Sequence, residues 1–124
     1  MRVILSLFLG VFLIGAGAGC SMLQDAPEAP FRVESASVLY EKAMGYYQKG
    51  QYLRAKESFH EFIGQYPESL LFKTALYDLA HCYQILGETK EALALYNRIV
   101  TTYGDADFWG EQAMKRIKQI QEEQ

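Results

Sequence analysis

An all-α fold built from duplicated helix hairpins is what this 124-residue sequence predicts, and three observations carry the prediction. From about Ser35 onward, apolar and aromatic residues recur three and four positions apart, the period of a helix with one buried face, and no stretch alternates long enough to make a strand. The stretch GQYLRAKESFHEFIGQYP, from Gly50 to Pro67, returns in altered form as GETKEALALYNRIVTTYG, from Gly87 to Gly104, 37 residues later. Glycines and a proline stand where the helical period breaks.

The elements follow in order. Met1 and Arg2 precede the run VILSLFLGVFLIGAGAG, which carries no charge and ends at Cys20. A positive start, an apolar stretch and then small residues is the order of a secretory signal, so residues 1–19 are expected to be removed. The run is close to the minimum of about 17 residues for a membrane span. Gly15, Gly17 and Gly19 would nevertheless make a poor last turn of a spanning helix, because glycine lowers helix stability and offers lipid no side chain. Residues 20–34 hold Pro27 and Pro30 and no periodicity, which reads as a flexible tether. The folded domain is expected over residues 35–124.

Five helices are expected in that domain. The first runs from about Ser37 to Lys49 and is stopped by Gly50. The second runs from about Gln51 to Tyr66 and ends at Pro67, which lacks a backbone N–H and disfavours helix in the residue before it. Ser69 is placed to cap a third helix, about Leu70 to Leu86, that stops at Gly87; Thr89 is placed to cap a fourth, about Lys90 to Tyr103, that stops at Gly104. Asp105 or Asp107 would cap a fifth from about Phe108 to Gln121, where a negative charge suits the helix N-terminus.

Setting Gly50 against Gly87 aligns the whole unit. Leu39, Ala43 and Tyr46 correspond to Leu76, Ala80 and Tyr83; Ala55, Phe59 and Phe62 correspond to Ala92, Tyr96 and Ile99. Alanines let two helix backbones approach while rings fill the space beside them. Replacing Ala55 with leucine should therefore overpack the crossing and cost about 1–3 kcal/mol in a thermal or urea melt. Ala113, Ile117 and Ile120 form an apolar stripe on the fifth helix that would cover the open end of the second unit, with Lys115, Arg116 and Lys118 left to solvent.

This pattern of small residues at the helix crossing, large residues around it, glycine at the turn and proline near the end resembles the tetratricopeptide repeat. The resemblance implies a short tetratricopeptide-like solenoid of two helix hairpins plus a C-terminal capping helix. GAGC at Cys20 resembles the lipobox of bacterial lipoproteins. In that family the signal is cut before the cysteine, which receives a diacylglycerol on sulfur and an N-acyl chain on its new amine. Ser21 after Cys20 implies sorting to the outer membrane. Taken with the QYPES junction and the spacing of 37, the chain is similar to the outer-membrane assembly lipoproteins of the BamD type. That resemblance implies a non-enzymatic module, lipid-anchored on the periplasmic face, that binds protein partners of the cell envelope.

Without Arg2 the chain keeps 11 basic against 15 acidic side chains, and no basic stripe is present, so a nucleic-acid backbone is not an expected partner. If Cys20 carries lipid, Cys82 has no mate within the chain and is expected to be buried. Catalysis or metal binding would rest on His81 and Cys82. Helix neighbours point about 100° apart, so the two do not converge on one ion. No phosphate loop, hydrolase elbow or paired-histidine motif appears, and no cofactor beyond the lipid on Cys20 is expected.

In the tetratricopeptide family the leading helices line the inner face that holds peptides. Carried over by position, the candidate groove is Tyr40, Met44, Tyr47 and Gln48 on the first helix and Thr74, Tyr77, His81 and Gln84 on the third. Tyrosine combines a large apolar ring with a hydroxyl and methionine is adaptable, a composition common in recognition surfaces. Packing between helices is the competing role for Tyr40, Tyr47 and Tyr77. Phe108 and Trp109 are expected to seal the end of the core. A structural alternative to partner binding is a spacer that stacks on copies of itself.

Overall fold

A computed structural model describes residues 34–124. The signal of residues 1–19, the lipid attachment at Cys20 and nearly all of the tether of residues 20–34 lie outside the described residues. Among the described residues the chain is helical throughout, in the order α1 (Ala36–Gln48), α2 (Tyr52–Gln65), α3 (Phe72–Ile85), α4 (Thr89–Tyr103) and α5 (Phe108–Glu122). Each helix packs on the next, and α3 also touches α5.

The 37-residue repeat is a repeat of backbone chemistry as well as of side chains. Gly50 and Gly87 adopt φ of 74° and 79°, the left-handed region that favours glycine. The N–H of Gly50 donates to the carbonyl of Tyr47 and that of Gln51 to Tyr46; one repeat later, Gly87 donates to Gln84 and Glu88 to Tyr83. This paired bonding is the Schellman motif, which satisfies the last carbonyls of a helix as the chain reverses. The two leading helices therefore end alike, at Gln48 and Ile85, 37 residues apart.

Helix starts differ from the sequence expectation in two places. The third helix begins at Phe72, not near Leu70, because Ser69 closes a turn instead of capping the helix: its Oγ accepts from the N–H of Leu71 at 3.2 Å, and its carbonyl from Phe72. Thr89 lies inside α4 as its first residue, and Glu88 precedes it with no side-chain cap bond. Asp107 does cap α5, its carboxylate accepting from the N–H of Trp109 at 3.0 Å.

The core is built on the aligned positions. Leu39, Ala43, Ala55, Phe59 and Phe62 are fully enclosed with Ala75, Leu79 and Cys82. Leu76, Ala80, Ala92, Tyr96, Ile99, Ala113 and Ile120 form the second cluster. Helix α3 thus turns one face to each hairpin, and Ile63, Tyr83 and Leu95 pack against both clusters. Burying a ring such as Phe59 or Phe62 contributes about 1.5–3 kcal/mol each. Cys82 is enclosed and its thiol is pushed up to about 12 by burial, with Asp78 adding to the effect.

At the far end Trp109 packs into the second cluster, but Phe108 does not seal it: the ring stands edge-on to Trp109 and is 62% exposed. Its helix is instead drawn in by Gly110. A Cβ at that position would lie 1.8 Å from the carbonyl oxygen of Gly104, so only glycine allows α5 to close against the end of α4.

Candidate functional site: the inner row of the leading helices

The eight residues carried over from the repeat pattern stand on α1 and α3, and the structure joins the two helices through them. The Tyr40 hydroxyl donates to Oδ2 of Asp78 at 2.8 Å, and its ring lies 5.8 Å from those of Phe59 and Phe62. The Tyr47 hydroxyl and Nδ1 of His81 are hydrogen-bonded at 2.5 Å, while the Tyr47 ring meets Tyr52 edge-on. Tyr77 is held between the rings of Tyr96 and Trp109, and its hydroxyl accepts from Nε of Arg116 at 3.1 Å. Gln84 accepts from the Tyr96 hydroxyl at 3.0 Å. Met44 packs on the first cluster, Thr74 is half-buried and Gln48 is exposed. All three tyrosines therefore pack between helices, and each is half-buried.

Two charged residues belong to this row that the sequence reading did not place in it. Asp78 sits beneath Tyr40; burial pushes its carboxyl up to about 6, opposed by the Tyr40 hydrogen bond. Arg116, expected in solvent, is half-buried and bonded to the neutral oxygens of Tyr77 and Gln119. Burial, with the Arg116 guanidinium adding to it, holds His81 below the ordinary imidazole range. Desolvation likewise raises Tyr40, Tyr47 and Tyr96, which stay protonated. The signal for both residues was present in the repeat: Asp78 interrupts an apolar run between Tyr77 and Leu79, and Arg116 falls 37 residues after the buried Leu79.

The seam between α1 and α3 thus sets Asp78 against Tyr40 and His81 against Tyr47, and the seam between α3 and α5 sets Arg116 against Tyr77. Such a row offers hydrogen-bond acceptors, a donor fork and aromatic edges side by side. The one cysteine nearby, Cys82, is enclosed and protonated.

Residues 32–109 match a family model, YfiO, described as an outer membrane lipoprotein. The chain belongs to the YfiO family. The match runs through both hairpins and the junction into α5, so the family pattern and the 37-residue repeat describe the same body. A comparison with proteins of curated function finds no match. Membership supports the expected BamD-type resemblance and the all-helical solenoid, and it names the outer membrane as the family's place.

Proposed function

We propose that this YfiO-family chain is a lipid-anchored, non-catalytic interaction module on the periplasmic face of the outer membrane, where it helps to assemble or hold an envelope complex of proteins. The observation that supports this most is the family match across both hairpins, which links an outer membrane lipoprotein to a stack whose leading helices carry a row of half-buried tyrosines. Cys20 would carry the diacylglycerol and N-acyl chains. Each buried methylene contributes about 0.8 kcal/mol, and two or more chains hold a protein on a bilayer stably. Confinement to the membrane raises the effective concentration of the row toward partners in the same layer, so modest contacts at Tyr40, Tyr47, Tyr77 and His81 suffice.

Site-specific photocrosslinking in living cells tests this reading. A photoreactive residue at Tyr40 or Tyr77 should give a discrete protein adduct, while one at the more exposed Phe108 should not. Equal labelling from all three positions would count against a groove. Metabolic labelling with fatty acid should mark the protein and vanish on Cys20→Ala; persistence of the label would remove the anchor from Cys20.

A further inference from the structure

One charge in the inner row has no opposite charge beside it. Arg116 stands midway along α5, half-buried, and its guanidinium meets only neutral oxygens: Nε donates to the Tyr77 hydroxyl at 3.1 Å and Nη1 to Oε1 of Gln119 at 3.3 Å. Among the described residues every ion pair is made by a lysine, and none reaches Arg116. The row's own acid, Asp78, is turned to Tyr40. The side chains that share the field of Arg116, which are Tyr47, Tyr77, Tyr96 and His81, bring no carboxylate. The repeat makes the residue stand out further. Shifted by 37 residues, its position is that of Leu79, which is fully enclosed in the first cluster. An aliphatic side chain would fill such a place. Arginine instead brings a planar head whose Nη2 and half of Nη1 have no acceptor among the described residues.

We infer that Arg116 is the acid-reading residue of the inner row: it pairs with an aspartate or glutamate side chain of the protein that lies along α3 and α5. The inference rests on the reading of that row as a partner face, and it names one element of the partner's chemistry. A guanidinium fork matches a carboxylate edge to edge, and a half-buried setting strengthens the pairing relative to open water. Tyr77 and Gln119 hold the plane of the guanidinium, so its unused N–H groups are oriented before a ligand arrives. The neighbouring cations of α5 do not compete for this role, because Lys115 and Lys118 are exposed and paired with Glu111 and Glu122. Helix α5 continues on both sides of Arg116, so a segment laid along it presents a side chain there and not its end. A carboxylate of this chain from outside the described residues is the competing source, and the test separates the two.

The probes are two capped tripeptides, acetyl-Tyr-Glu-Tyr-amide and acetyl-Tyr-Gln-Tyr-amide, which differ by one charge. Isotope-labelled full chain in detergent micelles is titrated with each to about 5 mM, enough to read a Kd of about 1 mM. The glutamate peptide should shift the Arg116 guanidinium and His81 ring signals. It should bind at least about tenfold more tightly than the glutamine peptide, the size of one charge-assisted pairing. Arg116→Gln should abolish that preference and Arg116→Lys keep only part of it, whereas Lys115→Gln leaves it intact. Equal affinity of the two peptides for the native chain, a comparison that needs no variant to fold, would overturn the inference. So would an equal loss on Lys115→Gln, which would reduce the effect to diffuse charge. A guanidinium signal that neither peptide moves would mean that a carboxylate of this chain already holds Arg116 or that none binds, and either overturns it. Photocrosslinking in cells separates this inference from the reading it rests on. A Tyr40 adduct that survives Arg116→Gln undiminished would remove the acid contact and leave the row. No adduct in the native protein, beside a glutamate preference in the titration, would remove the partner face and retain the pairing at Arg116.

Discussion

The two hairpins share their buried positions at a spacing of 37, yet each is joined to the next helix by a different device. After α2 the chain passes Pro67 and a turn closed by Ser69 before α3 begins at Phe72. After α4 it turns at Gly104, with φ of 80°, and starts α5 at Phe108, where Asp107 caps the helix and Gly110 admits the carbonyl of Gly104. The first junction is loose and tolerates side chains: Leu70 is 99% exposed there. The second is a backbone-to-backbone contact. The seams that follow differ too, one acidic at Asp78 and one basic at Arg116. A repeat therefore constrains the core positions, while the connections and the charge between units are free to diverge.

The contrast is sharpest at Gly110. Helix propensity alone would make Gly110→Ala stabilising by about 0.5–1 kcal/mol. The contact with Gly104 reverses the sign, because a Cβ 1.8 Å from a carbonyl oxygen forces the two backbones apart. Gly110→Ala should destabilise by at least about 3 kcal/mol in a urea or thermal melt, among the largest effects of a single methyl group. A neutral or stabilised variant would mean that the second junction is as loose as the first.

Next in size is the acidic seam. With its carboxyl raised to about 6 in the fold and near 3.8 when unfolded, Asp78 keeps a proton in the native state that the unfolded chain has lost between those values. Stability from this group is complete below the unfolded value and is lost as pH rises through about 6. Asp78→Asn keeps an acceptor for Tyr40 and removes the buried charge. It should stabilise by up to about 3 kcal/mol at pH 8 and by almost nothing at pH 4. A pH-independent difference between the two proteins would place the charge in water.

Smaller effects separate the two junctions further. Asp107→Ala removes both the cap to Trp109 and the 2.7 Å ion pair with Lys73, and should lower the thermal midpoint by a few degrees, with Asp107→Asn restoring part of it. That loss should shrink below pH 4, because Lys73 holds the Asp107 carboxyl below its ordinary range. Pro67→Ala, in the exposed first junction, should change stability by no more than about 0.5 kcal/mol. Equal responses at Asp107 and Pro67 would erase the distinction between a built junction and a permissive one.

What the sequence determined by itself was each helix and its buried stripe. A period of three and four residues decides which face of a helix is apolar before any neighbour arrives, so Leu39, Ala43, Ala55, Phe59, Phe62 and their partners 37 residues on were legible, as were the turns at Gly50 and Gly87, whose φ only glycine adopts without cost. The candidate row was legible as a set of positions, with Tyr40, Tyr47, Tyr77 and His81 all on its half-buried edge. Only the tertiary structure decided what those side chains meet. Tyr40 reaches Asp78 and Tyr77 reaches Arg116 across 38 and 39 residues, and Gly110 meets Gly104 because α5 folds back onto α4. Such contacts depend on the angle and offset at which one helix stacks on the next, quantities set by the summed fit of both cores and written in no local run of residues.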